Sequence, residues 1–376
     1  MIYLDHHAAA PTPELVRRAM ADASATAWAN PSSTHRAGQA SRQLLEKARE
    51  RVGRSIGAAP ADVVLTGGGT EACNLGIRGL AKGCRKIITT AVEHPAVAES
   101  VRHLGRDGGR EVLVLPVLAG MPPAPGQIAP HLSNDTLVAV QWVNHETGTL
   151  FPVHDYGQLC RGRGARLFVD ATQALGKVPI DVSSLGADAV AFAAQKIGGP
   201  AGAGACWVRR GIELDTVLAG GSQERGRRPG TLDTLSMVGF GAATSLTGLR
   251  LERQAAMAAL RDRLEARLLT LGAVPNAGEP RTATVCNVSF PEWEGAILVA
   301  ALDLEGVCVS TGAACSSGLQ QPSAVILAMY PNEQWRAGSA VRISLGIETT
   351  EPDIESAILA FQRVVSRTRT QNLSQI

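Results

Sequence analysis

Two short apolar runs in the middle third of the chain, each delivering one charged residue, constrain the fold more than any other feature. RLFVDATQ (residues 166–173) reads as a buried strand, Arg166 to Val169, that carries Asp170 to its carboxyl end. AVAFAAQKIGGPAGAG (residues 189–204) reads as a second buried strand, followed by Lys196 and a run of Gly and Pro. Apolar runs this short and this continuous belong in a sheet covered on both faces.

The same alternation of buried strand and helix extends from about residue 12 to 250. Helical stretches include Pro13 to Ala27 and Gly38 to Gly53. Further strands are expected at Val63 to Thr66, Lys86 to Thr90, Glu111 to Pro116, Leu137 to Val143, Ala189 to Ala193 and Ala205 to Val208. The pattern predicts an α/β fold with a mainly parallel sheet, its site at the strands' carboxyl ends. A long helical pattern spans about Thr234 to Gly272. A second unit follows, with strands Val285 to Phe290, Val307 to Ser310 and Val341 to Ser344, a helix Glu294 to Leu304 and a final helix from Pro352. The expected division is a large domain, 12–250, and a smaller one from 1–11 with 251–376. The Pro-rich stretch Met121 to Pro130 reads as a surface loop.

A lone acid and a lone Lys at neighbouring strand ends are what pyridoxal phosphate needs. The carboxylate keeps a pyridine nitrogen protonated, so the ring acts as an electron sink, and the amine forms a Schiff base. Taken singly, each residue is more simply a solvated charge; other residues join them. VVLTGGGTEACNLGI (residues 63–77) is a strand, a Gly-rich turn and a helix start, where Gly67 to Gly69 and Thr70 suit an anion. It is equally a tight turn needing positive φ, and it lacks the P-loop ending. His94, just after a strand, could stack on a flat cofactor and move protons, or be a satisfied structural His. Gln173 could donate to a ring substituent or cap the next segment. Cys315 lies in GAACSSG, a run of small residues suited to a nucleophile that approaches and withdraws; a buried structural Cys is the plainer alternative. Arg342 offers a planar fork for a carboxylate, or a salt bridge at a domain junction.

Composition removes other classes. Of 376 residues, 36 are basic and 34 acidic, leaving a net charge of +2 and no electrostatic footprint for nucleic acid. Aromatics, at 4%, are too sparse for base-stacking platforms. Seven scattered Cys make no disulfide framework and no zinc-binding pair. Cys73, Cys84, Cys160, Cys206, Cys286 and Cys308 lie in apolar patterns and read as inert. His6 and His7 have no ligand-spaced partner, so no metal is expected. The amino-terminal stretch has no secretory pattern and no run is long and apolar enough for a membrane, so a soluble cytoplasmic enzyme is expected.

YLDHHAAAPT, NPSSTHRAGQ, LTGGGTEACN, VEHPAV, VNHETGTLFPV, VDATQALGKVPID, QKIGGPAGAGA, GGSQERGRRPGT, CNVSF, GAACSSG and VRISLG, in this order over nearly the whole chain, resemble the cysteine desulfurases of the class V aminotransferase family. The Cys-loop and ERGxRxGT patterns point to the branch serving nitrogenase and general iron–sulfur assembly. The resemblance implies a fold type I pyridoxal phosphate transferase with a seven-stranded sheet and a smaller α/β domain. It makes Lys196 the Schiff-base residue, Asp170 the partner of the pyridine nitrogen, His94 the stacking ring and Gln173 the contact to the ring oxygen. Gly69 and Thr70 would hold phosphate, and Thr231 would reach the phosphate of the other subunit in a homodimer. Arg342 would hold the substrate carboxylate, and Cys315 would take sulfur from L-cysteine as a persulfide for an acceptor protein.

Three departures stand out. A Ser and a His that usually precede the Lys and touch phosphate are Ala193 and Gln195 here, so the Gln195 amide replaces at most one phosphate ligand. Two adjacent Asn residues are Asn144 and His145, expected at the substrate and the cofactor respectively. The carboxyl-terminal SRTRTQNLSQI lacks the longer tail through which some relatives dock a cluster scaffold. Alternative readings are a selenocysteine or cysteine lyase on the same scaffold, or a catalytically weak partner-binding scaffold.

Overall fold

The computed structural model describes residues 1–312 and 321–373, with side chains described as far as residue 366. Cys315 therefore lies outside the described residues. The chain opens on a short strand β1 (Ile2–Tyr3) and two amphipathic helices, α1 (Glu14–Ser24) and α2 (Arg36–Ser55). Seven strands then form one sheet: β2 (Val63–Thr66), β3 (Lys86–Thr90), β4 (Glu111–Leu115), β5 (Thr136–Gln141), β6 (Arg166–Asp170), β7 (Ala189–Ala193) and β8 (Gly204–Val208). These are the seven strands expected from the sequence, with only their ends shifted. Their spatial order is β2-β8-β7-β6-β5-β3-β4. Only β8 runs against its neighbours, so the other six all point the same way.

Helices α3 (Gly69–Leu80), α4 (Pro95–Gly108), α5 (Pro125–Ile128) and α6 (Val153–Arg163) alternate with the strands. Successive residues of each strand enter two separate apolar clusters. Val64, Ile87, Leu137, Phe168 and Cys206 pack under α3 and α4. Val63, Ile88, Val138, Leu167 and Trp207 pack on the opposite face against α2 and α6. Covering both faces is why the strands read as unbroken apolar runs. Helix α3 lies so close to the sheet that a Cβ on Gly76 would stand 2.5 Å from the Phe168 ring.

The single long helix expected over Thr234 to Gly272 is three helices instead: α7 (Thr234–Thr244), α8 (Thr247–Glu252) and α9 (Gln254–Thr270). The first break falls where hydroxyls turn back on the backbone. Thr244 Oγ1 donates to the Gly241 carbonyl (2.8 Å) and Ser245 Oγ to that of Ala242 (2.6 Å), competing with the helical ladder. The Pro-rich stretch is likewise no simple surface loop. It contains α5, and Ile128 is fully buried, with the Tyr156 hydroxyl bonded to the Pro123 carbonyl.

A second sheet runs β12-β10-β9, formed by β9 (Val274–Pro275), β10 (Val285–Ser289) and β12 (Ala340–Ser344) in antiparallel pairs. Helices α9, α10 (Gly295–Leu304) and α13 (Glu351–Leu373) enclose its core of Leu268, Val288, Leu298, Val341 and Phe361. Leu4 joins that core because β1 pairs in parallel with β11 (Val307–Cys308), a strand shorter than the expected Val307 to Ser310. The sequence did not suggest β1 or β9. Helices α11 (Ala324–Met329) and α12 (Trp335–Ser339) place Val325, Ile326, Met329 and Ala337 in the core of the large sheet instead. Of the described Cys residues, Cys308 alone is half-exposed; the other five are buried, as expected from their apolar settings.

Candidate active site

Because β2, β3, β5, β6 and β7 share a direction, their carboxyl ends meet along one edge of the sheet, the usual place for a site in an open α/β fold. A cavity of ≈ 310 Å³ opens there. Gly69 and Thr70 enter it after β2, His94 after β3, His145 after β5, Asp170 at the end of β6, and Gln195 and Lys196 after β7. Gln173 and Arg342 also line it. A larger hollow of ≈ 490 Å³, between α2 and residues 222–232, holds Thr231. It lacks the amine–carboxylate pair, so the chemistry belongs to the smaller cavity.

Register places Asp170 beside Ala191 of β7 and Gln141 of β5, with Lys196 three residues past the end of β7. Asp170 Oδ1 accepts from the Thr172 amide at 2.9 Å, which holds the carboxylate in one orientation. Lys196 Nζ donates to the carbonyls of His7 (2.9 Å) and Ala8 (2.8 Å), so the amino-terminal segment holds the amine at the cavity wall. Gly68, φ +142°, precedes helix α3 at its N-cap, and no side chain caps the first amides. Unpaired N–H groups at the start of a twelve-residue helix face the cavity and favour an anion. A Cβ on Gly69 would stand 3.0 Å from that of Ala193, so the turn is cut to backbone dimensions.

His94 caps α4: its Nδ1 accepts the Ala96 amide at 3.1 Å, and Pro95 follows at the first helical position. That bond places the proton of the neutral ring on Nε2. Burial holds the imidazole below its ordinary pKa, with Asp170 pulling the other way. His145 stands edge-on to it, ring centroids 5.2 Å apart, and its buried Nδ1 has no protein partner. Beneath them Glu93, pushed up to about 8 by burial, accepts from Thr90 Oγ1 at 2.5 Å.

Arg342 makes the salt bridge that was one of its two sequence readings. Its Nη2 pairs with Asp5 Oδ1 (2.8 Å) and its Nη1 donates to the His145 carbonyl (3.1 Å), while its buried Nε has no partner. Gln173 Nε2 donates to the His7 carbonyl at 2.8 Å. Asn144 is turned away: fully buried, its Oδ1 accepts the Glu146 and Thr147 amides and its Nδ2 donates to the Val92 carbonyl. It shapes the loop that presents His145 and does not line the cavity. Thr231 lies on the other hollow, and Cys315 is outside the described residues.

Sequence reasoning passed over Cys73 and Lys177. Cys73 lines the cavity, its thiol pushed up by burial and by Asp170. Its spacing from Thr70 put both on one face of α3, a signal available in the sequence. The carbonyls that hold Lys196 carry no such signal. Among the described residues, no group of three or more His, Cys, Asp or Glu could hold a metal, and no helix is long and apolar enough to cross a membrane.

The order of these elements is that of a known family: the model of the class V aminotransferases matches residues 2–356. The chain belongs to the class V aminotransferase family. Within that family it is 37% identical to an IscS-like cysteine desulfurase of Mycobacterium tuberculosis, covering 100% of this chain and 98% of the relative. It is also 37% identical to a cysteine desulfurase of Enterobacter agglomerans, over 98% of this chain and 94% of that one. A solved NifS-like protein superposes with a TM-score of 0.90 at 30% identity, covering 97% and 99% of the two chains. A further solved structure, SspA in complex with cysteine, superposes with a TM-score of 0.80 at 28% identity over 92% and 99% of the two chains.

Proposed function

We propose that this class V enzyme is a pyridoxal phosphate-dependent cysteine desulfurase that converts L-cysteine to L-alanine and passes the sulfur to Cys315. The carrying observation is the convergence of Lys196, Asp170 and the uncapped start of α3 on one cavity. The donor set fits the cofactor: an amine to bond it, a carboxylate for its ring nitrogen and helix amides for its phosphate. Gln195 Oε1, buried without a partner, is one end of an amide that can turn its N–H toward phosphate in place of the usual ligands. When bound, the cofactor supplies an electron sink for charge developing at the substrate Cα.

Each residue then has a task. Arg342 orients the substrate carboxylate, its unpartnered Nε being the available donor. His94 carries its proton on Nε2, so it serves as a flat neutral ring, and Lys196 is the base that moves the Cα proton. Asp170 keeps the ring nitrogen protonated. The Cys315 thiolate accepts the substrate sulfur as the Cβ–S bond breaks, leaving a persulfide for an acceptor protein, with iron–sulfur assembly the destination that the Cys-loop and ERGxRxGT patterns imply. The homodimer enters through Thr231: it lines a hollow apart from its own chain's cavity, which supports a role at a partner's phosphate.

The test is direct. Purified protein should show a visible absorbance band that borohydride or Lys196→Ala removes, together with cysteine-dependent alanine formation. Protein with pyridoxal phosphate added but neither band nor alanine refutes the reading.

A further inference from the structure

Lys177 is a buried amine for which the proposed chemistry has no use. It is 9% exposed and does not line the active-site cavity. Burial drives its pKa down, and the neighbouring cations Lys196, Arg250 and Arg342 push the same way. A polar group buried there is costly unless it is hydrogen-bonded.

Its bonding shows which group it serves. Lys177 Nζ donates to Gln173 Oε1 at 2.7 Å. Gln173 Nε2 donates in turn to the His7 carbonyl at 2.8 Å, and Lys196 Nζ donates to that same oxygen at 2.9 Å. One carbonyl thus gathers the amide and the reactive amine, and Lys177 stands behind the amide.

We propose that Lys177 is a positioning residue that acts through Gln173, fixing which end of its amide faces the cavity. The two ends of an amide have nearly the same shape, so only partners distinguish them. Here Oε1 meets an N–H and Nε2 meets a carbonyl oxygen. The reversed amide would set two oxygens against each other at His7. With Oε1 taken by Lys177 and one Nε2 hydrogen by His7, the second Nε2 hydrogen is left for the cavity that Gln173 lines. Gln173 therefore presents a donor and recognises an oxygen on its ligand. Without Lys177, Oε1 becomes a buried acceptor with no partner, and the amide turns to carry that oxygen into the cavity.

The inference rests on the pyridoxal phosphate reading, in which a ring oxygen meets Gln173. It is tested on apoprotein titrated with pyridoxal phosphate, following binding, the visible band at fixed pH and the apoprotein melting temperature. Lys177→Met and Gln173→Ala should each weaken binding roughly five- to tenfold, the scale of one hydrogen bond, and each should shift the band. The double variant should bind no worse than Gln173→Ala alone, because residues acting in series are not additive. Gln173→Glu keeps Lys177 paired but offers the cavity only oxygen, so it should bind more weakly than Gln173→Ala. Lys177→Arg, which keeps an N–H for Gln173, should restore the wild-type band. Additive losses in the double variant overturn the proposal. So does a Lys177→Met protein that melts lower yet keeps wild-type binding and band, or wild-type binding by Gln173→Glu. Wild-type protein that takes up no pyridoxal phosphate refutes the cofactor reading itself, and this proposal falls with it.

Discussion

Glu224 offers the sharpest test of how the ERGRRPGT stretch is held. It lies in a left-handed turn with Arg225, φ +49° and +60°, where non-glycine residues are strained. Its side chain is only 4% exposed. The carboxylate takes two bonds from Arg49, at 2.5 and 2.7 Å, and the Leu65 amide at 2.8 Å. One carboxylate thus ties residues 222–232 to α2 and to the strand that leads into the Gly-rich turn. Glu224→Ala leaves the Arg49 guanidinium, 7% exposed, without its best partner and orphans a strand amide. Losing one member of a buried ion pair costs about 3–5 kcal/mol. For a chain of this size each kcal/mol lowers the melting temperature by ~2 °C, so a drop of roughly 6–10 °C is expected. Glu46, which also pairs with Arg49, is 46% exposed; Glu46→Ala should cost less than about 1 kcal/mol. Thermal melts of both variants in one buffer decide the matter. Equal, small losses would mean that the turn is held by something else.

Two further outcomes are expected. Burial raises Glu93 to about 8 and Glu146 to about 7, so both are protonated in the fold at low pH. A carboxyl raised on folding contributes stability below its unfolded pKa and loses it as pH climbs through the folded value. Stability should therefore fall between about pH 4.5 and 8. Glu93→Gln should remove up to about 5 kcal/mol of that fall, read as a flatter plot of urea midpoint against pH; an unchanged slope would refute the burial argument. Cys315→Ala should still bind pyridoxal phosphate and melt normally while alanine formation collapses, because nothing is left to take the sulfur. Near-wild-type alanine formation with a lowered melting temperature would make Cys315 structural.

Much of this molecule was decided by the sequence itself. The strands of the large sheet are short, unbroken apolar runs, and that local pattern is enough to place them along the chain. Because strand ends carry their residues with them, Asp170, Lys196, His94 and the Gly69–Thr70 turn were legible as a group. The helix expected over Thr234 to Gly272 failed at its first break for an equally local reason, since the Thr244 and Ser245 hydroxyls turn back on its ladder. What only the tertiary structure decided is which groups meet across long separations. Asp5 meets Arg342, Glu224 meets Arg49, and the His7 carbonyl collects both Gln173 and Lys196. Asn144 turned inward to hold its own loop, leaving His145 at the cavity. These meetings depend on sheet order and on backbone acceptors that every residue type carries alike, so no pattern of side chains along the chain could announce them.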